Sequence, residues 1–438
     1  MLYERWRQIA SERRDQLALR DAASGRRWTF GELFAAADGA PVSDPARLHS
    51  AKVPRRCAGL PSKLAFPQGH SSDFILALLA AWREGAVVCP LEPGQPPPQV
   101  PEPPGSCIHL KSTSATTGAA RMAAFTTEQL TADAENIVAT MGLRADWPNL
   151  AVISMAHSYG FSNLVLPLVL HGIPVILAPS PLPEALRRAA EGESALTLPA
   201  VPAMWRAWQE ADAIPAKVRL AISAGAPLSV ELETKVFQSC GLKLHNFYGS
   251  TECGGIAYDG SETPRTDPAC AGSPLRNVSL GVSAAGCLVV KSHAVGETYW
   301  PEPQPTLGLG QFQTSDLAEL NDGLVFLRGR SSDQINVAGR KVLPFTIEQV
   351  LVQHPSVTAC LVFGVPDHDA GRTDLPVACV VAATQVKAED LRQFLLARLP
   401  AWQVPRDWWF VPSLSANHVG KVSRAEWRRR YSKKRQAV

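Results

Sequence analysis

The sequence predicts an α/β protein with a large N-terminal domain of several subdomains and a small C-terminal α+β domain. Three observations predict this fold class. Apolar runs of strand length alternate with helical segments, a second series of short strands and helices begins after Arg330, and 438 residues exceed one ordinary domain. We therefore expect one domain over residues 1–330 and another over residues 331–438.

Two segments of the large domain carry the strand–helix alternation. Ser72 can cap a helix that ends at Gly85, and residues 86–90 then predict a buried strand. Further on, residues 219–222 predict a strand, and a helix follows over residues 229–239. Apolar strands separated by helices of this length favour a largely parallel sheet.

The last hundred residues contain elements of their own. Strands are predicted within residues 335–342, 360–363 and 377–382, and helices within 347–353 and 389–399. The predicted domain boundary lies near Ser331-Ser332.

Composition narrows the class of protein. Hydrophobic residues make up 46% of the chain and charged residues 19%, as in a globular protein with a sizeable core. A net charge of +3 is too small to indicate a nucleic-acid partner. The chain lacks an apolar run of about 20 residues and an apolar N-terminal leader, and its nine cysteines form no C-x-x-C pair. We therefore expect a cytoplasmic protein with reduced thiols and no membrane insertion.

Basic residues gather at the C-terminal end. The run has two interpretations: a solvated, frayed tail, or a docking patch for an acidic partner such as a carrier protein or a nucleotide. Its members are Lys421, Arg424, Arg428, Arg429, Arg430, Lys433, Lys434 and Arg435.

A loop rich in hydroxyl side chains follows a predicted strand at residues 107–110. Six of the seven residues from Ser112 to Gly118 are Ser, Thr or Gly, which suits the oxygens of a polyphosphate. The loop lacks the lysine of the P-loop motif, and a second strand is predicted at residues 121–125 before a helix capped by Thr126 and Gln129. These features exclude a P-loop kinase.

Seven segments together resemble the adenylate-forming superfamily, which contains acyl-CoA synthetases, peptide-synthetase adenylation domains and luciferases. They occur in the family order across most of the chain. The segments are Thr113-Ser114-Ala115-Thr116-Thr117-Gly118-Ala119-Ala120-Arg121, His157-Ser158-Tyr159-Gly160, Ala224-Gly225-Ala226-Pro227-Leu228, Asn246-Phe247-Tyr248-Gly249-Ser250-Thr251-Glu252, Gln313-Thr314-Ser315-Asp316, Gly329-Arg330-Ser331-Ser332-Asp333-Gln334-Ile335 and Val419-Gly420-Lys421.

The resemblance implies that ATP reacts with a carboxylic acid, and it assigns most of the nucleotide site. Thr251 would bind the α-phosphate, Glu252 would hold Mg²⁺, and Asp316 would accept the ribose hydroxyls with Arg330 beside it. Asn246 would bind the adenine amino edge, Tyr248 would stack on the ring, and Gly249 and Ser250 belong to the same ATP-binding segment. The β- and γ-phosphates would contact Thr113, Ser114, Thr116, Thr117 and Gly118, and adenine would lie along Gly225, Ala226 and Pro227.

Lys421 is the implied catalytic cation of a small mobile domain. Placed between the carboxylate and the α-phosphate, its ammonium group would offset repulsion between two anions and stabilise the transition state. Thr251 and Glu252 are its implied catalytic partners. Ser332 occupies the family hinge position, and Gly339 falls in the segment that borders the thiol tunnel.

The acid and the thiol acceptor remain open at this stage. The resemblance places His157, Tyr159, Phe161, Ala224 and Gly249 around the acid, and a histidine beside aromatic residues favours an aromatic acid such as a hydroxybenzoate. The compact chain resembles bacterial aryl-acid:acyl-carrier-protein ligases of aryl-polyene and xanthomonadin-type pigment pathways. An acyl carrier protein is therefore the expected acceptor, with coenzyme A as the alternative.

Three positions depart from the family pattern. Ala115 replaces Gly, Arg121 replaces Lys and Ser315 replaces Gly. An alanine at a glycine site affects phosphate binding only if the backbone needs φ > 0 or a very close approach, and arginine keeps the charge with a different geometry. The departures leave open a degenerate, non-catalytic nucleotide- or acyl-binding module. An oxidoreductase that acts on an adenylate, as luciferases do, also stays open.

Overall fold

The computed structural model describes residues 2–39, 64–98, 101–113, 121–366, 374–414 and 422–436. Several predicted site residues lie outside these ranges: Ser114, Thr116, Thr117, Gly118 and Lys421. Within the described ranges no helix is long and apolar enough to cross a bilayer.

Twelve α-helices are found in the described part of the chain. They are α1 Leu2–Glu12, α2 Phe30–Gly39, α3 Ser72–Arg83, α4 Thr127–Met141, α5 Ser158–Gly160, α6 Leu166–His171, α7 Pro183–Ala189, α8 Pro202–Glu210, α9 Val230–Cys240, α10 Pro344–Leu351, α11 Ala388–Leu396 and α12 Arg424–Gln436. A π-helix, Phe161–Val165, joins α5 to α6, and 3-10 helices occur at Ser331–Asp333 and Ala401–Gln403.

Twenty-four strands are found in the same ranges. They are β1 Leu17–Asp21, β2 Arg27–Thr29, β3 Leu64–Ala65, β4 Val87–Val88, β5 His109–Ser112, β6 Met122–Phe125, β7 Asn149–Ala151, β8 Val175–Leu177, β9 Leu196–Ala200, β10 Val218–Ser223, β11 Leu244–Ser250, β12 Gly254–Tyr258, β13 Cys270–Pro274, β14 Ser279–Val282, β15 Cys287–Lys291, β16 Thr298–Trp300, β17 Leu307–Gly308, β18 Gln311–Asn321, β19 Leu324–Arg330, β20 Ile335–Val337, β21 Arg340–Val342, β22 Val357–Pro366, β23 Asp374–Ala382 and β24 Asp407–Phe410.

The central sheet is parallel in one half and antiparallel in the other. Its parallel half runs in the order β11-β10-β9-β7-β8-β1, with β2 antiparallel at the outer edge. Beyond β11 the order continues β12-β13-β19-β18-β15-β14 through antiparallel pairs. The predicted parallel sheet is thus found for the buried strands between helices. The antiparallel half was missed, because its strands are joined by turns and lack the intervening helices that mark the parallel strands.

A second sheet carries the strand that enters the hydroxyl-rich loop. Strands β3, β4 and β5 are parallel, and β6 pairs antiparallel with β5. The last strand, β16, comes from more than 170 residues further along the chain and pairs with β6 through Tyr299 and Ala123. This pairing brings a distant segment beside the loop.

The C-terminal elements have hydrophobic clusters of their own. The cluster of the large sheet ends at Val325, and the next one begins at Ile335 and includes residues of α10, β22, β23 and α11. Strands β22 and β23 are antiparallel, and β24 is parallel to β23. The predicted boundary at Ser331-Ser332 falls between the two clusters, in a 3-10 helix.

Three local predictions are corrected. Ser71, not Ser72, is the N-cap of α3. Ser112 belongs to β5 and not to the loop, because the strand extends two residues further than its apolar run. The frayed-tail interpretation of the basic run is wrong for residues 424–436, since they form α12, which packs through buried Trp427 and Tyr431. The predicted capping box of Thr126 and Gln129 is confirmed.

Candidate active site

The turn between β11 and β12 carries Thr251 and Glu252. Gly249 pairs with Gly255 across this hairpin, and a Cβ atom on Gly249 would lie 2.6 Å from the carbonyl oxygen of Gly254. Gly254 has φ +67°, in the left-handed region that favours glycine. The glycines therefore set a tight hairpin that leaves Thr251 and Glu252 half-buried at its tip.

Tyr248, Asp316 and Arg330 form a connected group beside this hairpin. The Tyr248 hydroxyl donates to Oδ2 of Asp316 at 2.6 Å, and Nε of Arg330 donates to Oδ1 at 3.0 Å. Asp316 and Arg330 are cross-strand partners on β18 and β19. Burial, and then the Asp316 carboxylate, raise the pKa of Tyr248 well above its usual value. The structure thus brings together three residues that the sequence assigned separately to adenine and ribose.

Asn246 lies on β11, two residues before Tyr248. Its Nδ2 donates to the carbonyl oxygen of Cys270 at 3.4 Å. The guanidinium of Arg265 also donates to Cys270 O, at 2.6 Å, and reaches Leu228 O at 2.8 Å. Arg265 therefore links the Gly225-Ala226-Pro227 segment to the strand beside Asn246, and no sequence motif indicates this role.

Glu252 is held by a residue that the sequence did not single out. The Tyr299 hydroxyl donates to Oε1 of Glu252 at 2.9 Å, and the Arg121 guanidinium lies 5.2 Å from the centre of the Tyr299 ring. Burial and the Glu252 carboxylate raise the pKa of Tyr299. No short motif contains Tyr299, because only the β6–β16 pairing brings it here.

The residues around Glu252 fit a Mg²⁺ ion that is bound together with phosphate oxygens. Mg²⁺ commonly takes one or two carboxylates and completes its octahedron with phosphate and water. Among the described residues no three His, Cys, Asp or Glu side chains cluster as a metal site of their own. Oε2 of Glu252 has no hydrogen bond from the described residues, so one carboxylate oxygen is available for such an ion.

Strands β5 and β6 close the base of the predicted phosphate loop. Both the backbone N–H and the hydroxyl of Thr113 donate to the carbonyl oxygen of Arg121 at 2.8 Å. The Thr113 hydroxyl is therefore used in closing the loop, and its predicted contact with phosphate would need a different rotamer. Ser114, Thr116, Thr117 and Gly118 lie outside the described residues.

The predicted acid pocket lies near the carboxyl ends of the parallel strands, where ligands bind in open α/β sheets. The Tyr159 hydroxyl donates to Ile222 O at 3.3 Å, at the end of β10, and its ring centre lies 5.9 Å from that of Phe247. Nδ1 of His157 accepts from the Tyr159 N–H at 3.4 Å. Ala224 continues from β10 and is buried.

Phe161 has a different environment from Tyr159. It is 1% exposed, and its ring centre lies 4.2 Å from that of His109 and 6.4 Å from that of Trp82. The ring therefore packs in the core, and its assignment to the wall of an acid pocket has the least support of the predicted substrate residues. That assignment stays a prediction.

Two family models match the chain: the AMP-binding enzyme model over residues 97–308, and the AMP-binding enzyme C-terminal domain model over residues 346–421. The chain belongs to the adenylate-forming AMP-binding superfamily. The predicted family is therefore confirmed, and so is the predicted enzyme class, an AMP-forming acid–thiol ligase. Activation of a carboxylic acid with ATP to an acyl-adenylate follows from this membership.

Similar proteins include curated enzymes and solved structures. A feruloyl-CoA synthase from Amycolatopsis is 28% identical over 358 residues, covering 76% of this chain and 72% of that protein. A 2-succinylbenzoate–CoA ligase from Bacillus cytotoxicus is 29% identical over 334 residues, covering 72% and 68%. The o-succinylbenzoate CoA synthetase of Bacillus subtilis, solved with its acyl-adenylate intermediate, aligns with a TM-score of 0.81 at 20% identity over 97% of each chain. The predicted fold class is confirmed.

Proposed function

We propose that this enzyme activates an aromatic carboxylic acid with ATP and transfers the acyl group to the thiol of coenzyme A. The observation that carries the proposal is the arrangement of the Thr251–Glu252 turn beside the Tyr248–Asp316–Arg330 group. Such an arrangement suits a nucleotide whose ribose lies on one side of the hairpin and whose phosphates lie at its tip.

In the first step the acid's carboxylate attacks the α-phosphorus of ATP. A carboxylate–phosphorus bond forms, the bond to the β-phosphate oxygen breaks, and pyrophosphate leaves with the electron pair. The protein contributes positioning and charge neutralisation. Thr251 donates to the α-phosphate, Lys421 pairs with its developing charge, and Asp316 holds the ribose. Held by Glu252, Mg²⁺ would supply positive charge to the departing phosphates.

The Tyr248–Asp316–Arg330 group preorganises a carboxylate for binding the ribose. Asp316 accepts from Tyr248 and Arg330 on its two oxygens, so its orientation is fixed before ribose arrives. Each carboxylate oxygen can accept a second hydrogen bond. Two ribose hydroxyls can therefore donate to Asp316 without displacing either partner.

In the second step the thiol sulfur attacks the acyl carbon of the adenylate. A carbon–sulfur bond forms, the bond to the AMP oxygen breaks, and the thiol proton passes to solvent. Rotation of the C-terminal domain about Ser332 would exchange Lys421 for the segment near Gly339 between the two steps. The 3-10 helix at Ser331–Asp333, between two separate hydrophobic clusters, supports a hinge here.

The similar enzymes favour coenzyme A over a carrier protein. The feruloyl-CoA synthase and the 2-succinylbenzoate–CoA ligase are both named for aromatic acids and for coenzyme A. The carrier-protein alternative is supported by a different observation: Arg428, Arg429 and Lys433 are exposed on α12 and have no carboxylate partner among the described residues. A basic helix of this kind attracts an acidic protein as well as the phosphates of coenzyme A.

Two assays test the proposal in sequence. ATP–pyrophosphate exchange is measured with 4-hydroxybenzoate, ferulate and 2-succinylbenzoate, and with malonate and decanoate as aliphatic controls. We expect exchange with at least one aromatic acid. The active acid is then incubated with ATP and either coenzyme A or a phosphopantetheinylated acyl carrier protein, and the thioester is identified by mass.

Each result has a distinct meaning. Thioester on coenzyme A supports the proposal, whereas thioester on the carrier protein alone favours the alternative acceptor. Exchange with aliphatic acids alone contradicts the aromatic substrate. Absence of exchange with every acid of the panel would favour a non-catalytic nucleotide- or acyl-binding module. The cytoplasmic location stays a prediction.

A further inference from the structure

A buried group of polar side chains lies between the elements of the candidate site. Lys111 is on β5, Asp133 on α4 and Ser162 in the π-helix Phe161–Val165. They are 4%, 1% and 3% exposed. None of the three belongs to a segment that resembles the superfamily motifs, and none has a role in the proposed chemistry.

The three side chains are joined to one another. Ser162 Oγ donates to Asp133 Oδ2 at 2.5 Å, Lys111 Nζ donates to Ser162 Oγ at 3.2 Å, and Nζ lies 3.5 Å from Asp133 Oδ2. The Lys111 ammonium also lies 4.6 Å from the centre of the Phe125 ring on β6. The group therefore fastens both strands that flank the phosphate loop to α4 and to the π-helix.

Asp133 also supports the turn that carries Thr251 and Glu252. The N–H of Gly255 donates to Asp133 Oδ1 at 3.1 Å. A Cβ atom on Gly254 would lie 1.9 Å from the same oxygen, so the carboxylate sits directly against the backbone of the hairpin. This contact joins residues that are more than 120 positions apart in the chain.

Ser162 connects the group to the segment of the predicted acid pocket. It lies three residues after Tyr159, whose carbonyl oxygen accepts from Nδ2 of Asn163 at 3.2 Å. A Cβ atom on Gly160 would lie 2.0 Å from Ser154 O, so this segment is packed too tightly to shift independently. Single turns of π-helix inside α-helices occur frequently at functional sites.

A stability role alone does not explain this group. Two buried opposite charges lose their hydration, and the attraction between them often fails to exceed that cost. Burial lowers the pKa of Lys111, while the Asp133 carboxylate acts to raise it. Apolar side chains could fill the same space, so the presence of the charges is better explained by the geometry that they impose.

We propose that Lys111, Asp133 and Ser162 form a positioning unit that fixes the Thr251–Glu252 turn and the acid-pocket segment against the phosphate-loop strands. The unit acts through residues that touch the substrates and does not itself touch them. This inference rests on the proposed function for its catalytic meaning. The positioning of the turn by these three residues can be tested without a carboxylic acid substrate.

The test uses a double variant, Lys111→Met with Asp133→Asn. It removes both charges together, and the asparagine oxygen can still accept from the Gly255 N–H, so we expect the fold to be retained. We expect affinity for MgATP, measured by calorimetry, to fall about 3- to 30-fold, as for residues that couple neighbouring sites. Amide hydrogen exchange should also become faster in peptides spanning residues 249–258 and 158–165. Arg20→Met is the matched control, since it breaks a largely buried ion pair with Glu193 at the far side of the sheet.

The control should lower the melting temperature without changing MgATP affinity or exchange in those two peptides. A folded double variant with wild-type affinity and wild-type exchange overturns the positioning role. If that variant does not fold, Ser162→Ala removes the central hydroxyl alone and is judged by the same two readouts. If wild-type protein binds no MgATP, the proposed function fails, while hydrogen exchange still decides whether the unit positions the turn.

Discussion

In the proposed mechanism, Lys421 is the residue on which the adenylation step depends most. Replacing it with alanine should slow ATP–pyrophosphate exchange about 10²- to 10³-fold, because one preorganised donor to the developing charge is lost. The melting temperature should change little, since an ammonium group that serves a bound nucleotide contributes little to the fold without it. Lys433→Ala, an exposed lysine on α12, is the matched control and should keep wild-type exchange. Near wild-type exchange in Lys421→Ala would remove its catalytic assignment.

Individual site residues could be predicted from the sequence where they lie in short motifs. Tyr248, Asp316 and Arg330 were assigned from their segments, and they are joined by hydrogen bonds in the structure. Tyr299 and Lys111 were not predicted, because their partners are distant in sequence. Tyr299 reaches Glu252 through the β6–β16 pairing, and Lys111 contacts Asp133 on α4 and Ser162 in the π-helix. A tyrosine and a lysine beside apolar residues indicate only packing when their three-dimensional neighbours are unknown.

Arg424 shows how one side chain can organise several elements. Its guanidinium donates to Asp333 in the 3-10 helix Ser331–Asp333 at 2.9 Å, to Glu348 on α10, and to the carbonyl oxygen of Val362 on β22 at 3.1 Å. Charge–charge attraction from Glu348 and Asp333 raises the pKa of Arg424 against the effect of burial. The start of α12 is thus fastened to the segment about which the small domain is proposed to turn.

Arg424→Met should therefore loosen these elements. We expect faster amide hydrogen exchange in peptides covering residues 331–351, and a loss of about 1–3 kcal/mol in the unfolding free energy of the C-terminal part, because two carboxylates lose their cation. Arg429→Met, on the exposed face of the same helix, is the control and should leave both quantities unchanged. Unchanged exchange in Arg424→Met would show that α10 and the 3-10 helix are held by apolar packing alone.

Elements were predictable where the hydrophobic pattern and the end signals agreed. Helix α9 begins after Ser229 and ends at Gly241, as its capping residues indicate. The antiparallel strands of the central sheet were missed, since they lack long apolar runs and β13 pairs with β19, whose paired residues lie more than 50 positions further along the chain. The basic run illustrates the same limit: its composition suggested a solvated tail, while Trp427 and Tyr431 at helical spacing bury one face of α12.

The whole molecule should lose stability as the pH falls towards 5.5. Burial lowers the pKa values of His70, His109, His171 and His245 below the ordinary 6.5, and that of His109 falls furthest, with Lys111 adding to the effect. The unfolded chain takes up protons near pH 6.5, whereas the folded chain does not. The stability that these neutral rings confer is therefore complete above pH 6.5 and is lost as the pH falls below it.

His109→Phe isolates one part of this loss. Each neutral histidine adds a slope of up to about 1.4 kcal/mol per pH unit, so the variant should lose about 1 kcal/mol less than wild type between pH 7.5 and 5.5. Both ring nitrogens of His109 lack hydrogen-bond partners among the described residues, so the variant should also be more stable at pH 7.5 by about 1–2 kcal/mol. Urea unfolding at the two pH values measures both effects.

His293→Gln provides the comparison for this experiment, because His293 is exposed and its replacement removes a histidine without changing a buried ring. The unfolding free energy of His293→Gln should change with pH as that of wild type does. If His109→Phe and wild type lost equal stability between pH 7.5 and 5.5, the imidazole would have to accept a proton inside the fold, beside the Lys111 ammonium. That outcome would require a nearby carboxylate or water to compensate the added charge, and Asp133 would be the first group to substitute in a second variant.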